Sequence, residues 1–381
     1  MTASKGLAAD STPLLFVGCQ TSVFVVRTAV ALEERGFRVD VLDPREGPPY
    51  GFLARLGAPG GAFSRYLGVR RRLREIDPRK VVVIHGLGAD VAWLVPLLKQ
   101  RFKRVVGVAY GSDILRRRRS RDWALGPAFA ALDHISATND NVLAAIRDGF
   151  PGLNPEKLSI TRFGLPVVDE LRNVVFREYD TAAAKASLRL DPGRTVVALG
   201  YSASAGQRQV DLIRMLARQC DTLEHIQFVV PIQYGSPEIQ QAVENACQAA
   251  NVACGGSKFI PITEFYDVHQ SAVMRMATDV LVNHSVSYAF SGTVLETVYA
   301  GNLVFAARHL PYQSMPGAGS SIWFYDNVED LVGMLSEQSL CSLAQHASGG
   351  RLATRPALEA VASWDGVIPD WRTLIGVAGE D

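Results

Sequence analysis

Several signatures are missing from this chain of 381 residues, and each absence removes a class of function. No uninterrupted apolar run reaches the roughly 18 residues that a spanning helix needs, and the first ten residues lack the apolar core of a signal peptide, so they read as a frayed tail. The five cysteines, Cys19, Cys220, Cys247, Cys254 and Cys341, form no Cys-x-x-Cys pair. An odd, scattered set reads as reduced thiols in a cytoplasmic protein. The seven histidines show no metal-ligand spacing, so a zinc site is not expected. The Gly-x-Gly-x-x-Gly fingerprint is absent from the first strand-to-helix turn, which removes the main support for a nicotinamide or flavin enzyme. The loop at Gly200 has glycines near P-loop spacing but no Lys-Ser/Thr, which disfavours Walker-type ATP hydrolysis.

What is present is a well-packed composition, 48% hydrophobic and 20% charged, long enough for two α/β domains. The net charge of +1 hides an asymmetry: residues 1 to 165 hold 25 Lys+Arg against 15 Asp+Glu, and the remainder 14 against 23. A basic front half and an acidic back half suggest two domains with different partners.

Short apolar runs alternate with helical patterns through the front half: Pro13 to Val17, Arg38 to Leu42, Lys80 to Ile84, Arg104 to Ala109, His134 to Ser136 and Leu158 to Thr161. Such alternation implies a parallel sheet covered on both faces. After a break at Gly164-Leu-Pro the alternation restarts with strands at Thr195 to Leu199, His225 to Val230, Lys258 to Ile260 and from Asp279. The expected organisation is a disordered tail at 1–11, domains at 12–170 and 191–345, and a helical segment at 346–381 packing across the domains.

Open parallel sheets bind ligands beyond the carboxyl ends of their strands. The richest such loop is Asp279-Val-Leu-Val-Asn-His-Ser-Val-Ser-Tyr-Ala-Phe-Ser-Gly-Thr-Val-Leu-Glu296. Its Ser291-Gly292-Thr293 helix start offers backbone donors at the positive end of a helix dipole, where an anion can sit. Thr293 and Glu296 also have the spacing of a capping box with the glutamate in the first turn, a purely structural use. The Gly200 to Arg208 loop presents Ser202, Ser204 and Arg208 and can cradle a diphosphate or be an ordinary turn.

Asp113 follows a strand by a Tyr-Gly-Ser turn and fits either a general base or a helix N-cap. His85 stands at an equivalent strand end and can orient substrate, act as the base or simply close a hydrogen bond. The arginines at 70, 71, 72 and 74 and at 116 to 119 and 121 are a solvated face or a surface for anionic head groups. Few aromatics interleave with them, so nucleic acid is not an expected partner. Gly200-Tyr-Ser202-Ala-Ser204 nearly makes a nucleophile elbow, but its final glycine is replaced and no histidine is placed as a base.

Two doubly wound halves, Gly111-Ser112-Asp113 in the first and the strand-loop-helix ending in Glu296 in the second, together resemble the GT-B glycosyltransferases. The resemblance covers about residues 12 to 345 at the level of motif order. His85-Gly86 and Gly111-Ser112-Asp113 resemble acceptor-side loops, Arg162-Phe-Gly164-Leu-Pro166 the end of the first domain, and Glu296 the glutamate that binds the donor's ribose. Leu199 to Arg208 and Tyr288 to Glu296 are similar to the bacterial family that transfers 4-acetamido-4,6-dideoxygalactose (Fuc4NAc) from dTDP to a lipid-linked oligosaccharide. Ala289 stands where the commoner pattern has a second glutamate, so the sugar is not carried over.

The resemblance implies two Rossmann-like domains facing a cleft. The donor, a UDP- or dTDP-type nucleotide sugar, is expected on Ser202, Ser204, Arg208, Tyr234, Ile262, Thr263, Ser291, Gly292, Thr293 and Glu296. A glycan or lipid-linked acceptor is expected on Gln20, Thr21, Tyr110 and Arg116, with Asp113 or His85 catalytic. No Asp-x-Asp occurs, so metal-independent, inverting transfer without a further cofactor is the expectation. The basic half is expected at an anionic surface on the inner face of the membrane. An epimerase or hydrolase of the same fold, and a serine hydrolase, are the alternatives.

Overall fold

The computed structural model describes residues 13–46, 57–116, 122–286 and 291–376. Ala289 and the arginines at 117 to 119 and 121 lie outside them. The chain forms two compact units, one running to Phe163 and resuming at Val367, the other Gly164–Gly366.

The first unit holds β1 (Pro13–Val17), α1 (Val23–Glu33), β2 (Arg38–Leu42), α2 (Gly57–Leu73), β3 (Val81–His85), α3 (Val91–Lys99), β4 (Val105–Ala109), α4 (Ser112–Leu115), α5 (Asp122–Ala131), β5 (His134–Ala137), α6 (Asp140–Gly149) and β6 (Leu158–Ile160). The strands are parallel in the order β2-β1-β3-β4-β5-β6. Runs such as Leu14-Leu15-Phe16 and Val82-Val83-Ile84 are buried throughout, as central strands covered on both faces must be. In β4 the glycine leaves room for its neighbours, since a Cβ on Gly107 would meet the tip of the Leu87 side chain at 2.7 Å.

The second unit begins with α7 (Pro166–Glu170), which continues through a π turn at Leu171–Val175 to Phe176–Glu178. It continues with α8 (Thr181–Ser187), β7 (Thr195–Leu199), α9 (Gln209–Ala217), β8 (Ile226–Pro231), α10 (Pro237–Ala253), β9 (Phe259–Ile262), α11 (Val268–Ala277), β10 (Val280–Asn283) and α12 (Gly292–Ala300). It ends with β11 (Leu303–Ala307), β12 (Ile322–Tyr325), α13 (Val328–Met334) and α14 (Glu337–Ala362). The sheet is again parallel, in the order β12-β11-β10-β7-β8-β9. α11 starts on a full capping box between Asp267 and Gln270. α12 stops at Gly301, whose φ of +93° is the left-handed geometry that a helix end favours in glycine. The last helix, α15 (Trp364–Ile375), carries the division between the units.

α15 returns Trp371 to the first unit, where it is fully buried. Its ring packs 6.5 Å from Phe16 and 5.5 Å from Phe163, and its indole N–H donates to the Arg162 carbonyl at 2.8 Å. Arg104 donates to the Leu374 carbonyl at 2.8 Å.

The thiol expectation needs correction. Cys220 and Cys254 are joined as a disulfide, their Cα atoms 5.6 Å apart, while Cys19, Cys247 and Cys341 are free. The pair is 34 residues apart in sequence, and only the packing of α9 beside α10 makes them neighbours. Among the described residues no helix is long and apolar enough to cross a membrane.

Candidate functional site

Strand order reverses in the first sheet at β1 and β3 and in the second at β7 and β10. At such switch points adjacent loops diverge and leave a crevice at the carboxyl ends of the strands. Gly200 to Arg208, and His284 to Val286 after β10, flank the second switch.

These loops are tied together by backbone. Ala203 and Gly235 form an isolated parallel bridge, with the Ala203 amide on the Tyr234 carbonyl at 2.9 Å and the Ser236 amide on the Ala203 carbonyl at 3.1 Å. The Val286 amide reaches the Gly206 carbonyl at 2.9 Å. Gln209 donates from Nε2 to the carbonyls of Leu199 and Pro231, at 2.9 and 3.0 Å, joining the ends of β7 and β8. Arg208, at the start of α9, is exposed and holds a left-handed φ of 52°.

The structure gathers part of the expected donor set. Ser202 is buried next to Ala203, whose backbone pairs with the Tyr234 and Ser236 backbone. Tyr234 is 52% exposed, and burial and then Tyr201 push its pKa up, with Arg275 lowering it and Glu296 raising it. No histidine hydrogen bond to Ser202, as a hydrolase nucleophile would require, is seen among the described residues. Ser204 is exposed, Ile262 closes β9 half-buried, and Thr263 is exposed just beyond it.

Glu296 departs from the capping-box expectation. Ser291 is the N-cap, so Glu296 falls in the second turn and faces α11, where Arg275 Nε donates to its Oε2 at 3.0 Å. Arg275 also donates to the Thr293 hydroxyl at 3.3 Å. The glutamate is 7% exposed, and a carboxylate so enclosed needs its cation. The Ser291 amide is not open either, since it donates to the Tyr312 hydroxyl at 3.3 Å, which also takes the Asn283 side-chain amide at 3.1 Å. Gly292 lies so near Leu165 that a Cβ would approach it to 2.9 Å.

On the first unit, Asp113 is the most heavily engaged group. Its Oδ2 accepts the Leu87 amide at 2.6 Å and Oδ1 those of Gly111 at 2.8 Å and of Tyr110 and Ile114 at 3.1 Å. Four backbone donors on one carboxylate hold the loops after β3 and β4 in register. His85 is buried, its Nδ1 2.7 Å from the Tyr110 hydroxyl and its Nε2 enclosed without a hydrogen-bond partner. Phe16 at 4.3 Å and the stacked Trp371 ring shield it, and burial lowers its pKa to about 3. Burial likewise drives the Tyr110 phenol upward. Gln20 and Thr21 are exposed in the loop after β1, the Gln20 amide tied to Asp43 at 3.1 Å, and Arg116 is exposed after α4.

Arg275, Tyr312, Gln209 and His284 escaped sequence reasoning. Each acts through a partner on another element, and only Arg275, the one Lys or Arg on α11, carried any signal. A surface groove of about 630 Å³ in the second unit lies elsewhere, lined by Arg214, Arg218 and alanines of α9 and α10.

No protein-family model matches the chain, and no curated protein sequence matches it. Solved structures do. Sucrose-phosphate synthase from Thermosynechococcus elongatus superposes with a TM-score of 0.72 at 15% identity, over 97% of this chain and 100% of that one. Anabaena HepE in complex with UDP and glucose gives 0.71 at 13% identity, over 97% and 100%. The UDP-forming α,α-trehalose-phosphate synthase from Burkholderia xenovorans in complex with glucose-6-phosphate gives 0.68 at 13%, over 95% and 99%. At such identities the likeness establishes architecture, and that architecture is the GT-B fold of two doubly wound parallel-sheet domains.

Proposed function

We propose that the chain is a glycosyltransferase whose second unit binds a UDP- or dTDP-type nucleotide sugar and whose first unit holds a glycan or lipid-linked acceptor. The observation that carries this reading is the buried Arg275–Glu296 pair, joined to Thr293 and acting on Tyr234 beside the β7–β10 switch. A carboxylate fixed by one cation keeps lone pairs for a ribose diol, and the Tyr234 ring offers a face to a base. HepE was crystallised with UDP and glucose, which suits this division of labour.

In the proposed reaction the acceptor hydroxyl gives its proton to Asp113 while its oxygen bonds to the anomeric carbon and the bond from that carbon to the diphosphate oxygen breaks, with inversion. Arg208 and the loop amides meet the leaving charge without a metal. Asp113 positions the acceptor loops, and His85 holds Tyr110. The basic half, including Arg70, Arg71, Arg72 and Arg116, is proposed to approach an anionic membrane surface from the cytoplasmic side.

A thermal-shift panel of UDP-, GDP-, dTDP- and CMP-linked sugars, run with a chelator, tests the donor. At a hundredfold excess over Kd the correct nucleotide adds about 2.7 kcal/mol of stability. Glu296→Gln is expected to weaken that nucleotide about tenfold or more, as loss of a charged hydrogen bond does. No shift with any nucleotide overturns the reading.

A further inference from the structure

His284 follows β10 directly, beside the switch point of the second sheet. Its Nδ1 is 2.8 Å from the Tyr325 hydroxyl on β12, and the two rings stack at 5.8 Å with planes 9° apart. Two contacts to one neighbour fix the imidazole, and with Nδ1 occupied the free chemistry rests on Nε2.

The surroundings of His284 are basic. Arg208 from the start of α9 and His309 from beyond β11 both oppose a proton on it, after burial, the largest cause; Asp211 of α9 alone favours one. Tyr325 is itself held neutral by burial. His309 is anchored to this loop, its Nε2 2.9 Å from the Ser285 carbonyl, and the Val286 amide on Gly206 brings the Arg208 loop to the same place. Arg208 and two histidines from three strand-end loops, with Asp211 among them, gather one cation and two imidazoles at a place where an anion would be met by donors.

We propose that His284 is a diphosphate ligand that takes a proton from solvent as the donor seats beside Arg208 and gives it back when the nucleotide leaves. This rests on the donor reading above. Empty, the imidazole is neutral, because burial and Arg208 disfavour its charge. A diphosphate brings negative charge next to it and reverses that balance, so donor affinity rises as pH falls. The imidazolium then donates from Nε2 to a phosphate oxygen, supplementing Arg208 as charge grows on the leaving group.

Calorimetry on the full chain with UDP-glucose and dTDP-glucose, in two buffers of different ionisation enthalpy, tests this. These diphosphate diesters do not titrate between about pH 5 and 8, where histidine does. Expected is uptake approaching one proton per nucleotide sugar and binding that tightens up to tenfold per pH unit on acidification. His284→Asn keeps a partner for Tyr325 but has no Nε2, so it should abolish the uptake and flatten the pH dependence to within about twofold. Imidazole NMR of the wild type, in which one histidine becomes protonated on adding donor, reads the same event without any variant. Absence of binding by either nucleotide sugar would remove the donor reading. Binding without proton uptake, or uptake undiminished in His284→Asn, would overturn this inference alone.

Discussion

The side chain that best shows what burial does here is His85. Enclosed by Phe16, Trp371 and Tyr110, it stays neutral in the folded chain, its pKa near 3 against about 6.5 for an exposed histidine. The unfolded chain therefore binds the extra proton first on acidification. Stability from this group is complete above about pH 6.5 and is lost progressively as pH falls towards 3, at about 1.4 kcal/mol per unit. Between pH 7 and 5 the wild type should lose about 2 kcal/mol more than His85→Gln, measured by denaturant unfolding at each pH. Equal losses would mean that the ring is solvated. The sequence showed a histidine at a strand end, but its neutrality depends on Phe16 and on Trp371, 286 positions later in the chain.

At the scale of elements, the strands of the first sheet and β7 to β10 of the second were legible because continuous apolar runs and strand-end glycines are local signals, whereas the short β12 was not read. Pairings such as Arg275–Glu296, Asp113 with the Leu87 amide, and Cys220–Cys254 were not, because they form only when separate elements pack. The same limit applies to the Ala203–Gly235 bridge, which aligns Ser202 with Tyr234. Gly235 has φ +136°, and a Cβ there would lie 2.0 Å from the Ala203 carbonyl oxygen, a backbone atom that cannot rotate away. Gly235→Ala must part the two loops, at a cost of about 1–3 kcal/mol. It should also weaken nucleotide binding, because Tyr234 moves with its neighbour. Gly333→Ala, inside α13 with nothing within 4 Å, is the contrasting case and should be neutral or stabilising by up to about 1 kcal/mol. Thermal unfolding of both variants separates a backbone collision from a generic loss of glycine.

At the scale of the whole molecule, the two units differ in how they use the chain. The second is continuous, Gly164–Gly366, whereas the first is completed by the segment from Val367 onward. That segment brings a fully buried Trp371 together with Val367, Leu374 and Ile375, and it accepts the Arg104 guanidinium on the Leu374 carbonyl. Truncating a buried tryptophan typically costs about 3–5 kcal/mol, a large part of the 5–15 that a whole domain has. Residues 13–163 expressed alone should therefore fail to give a cooperative unfolding transition, while residues 164–366 fold independently and keep nucleotide binding. Supplying residues 364–376 in trans, or fusing them by a linker to 13–163, should restore the transition. A cooperative 13–163 fragment without that segment would show that Trp371 merely covers the sheet rather than completing its core.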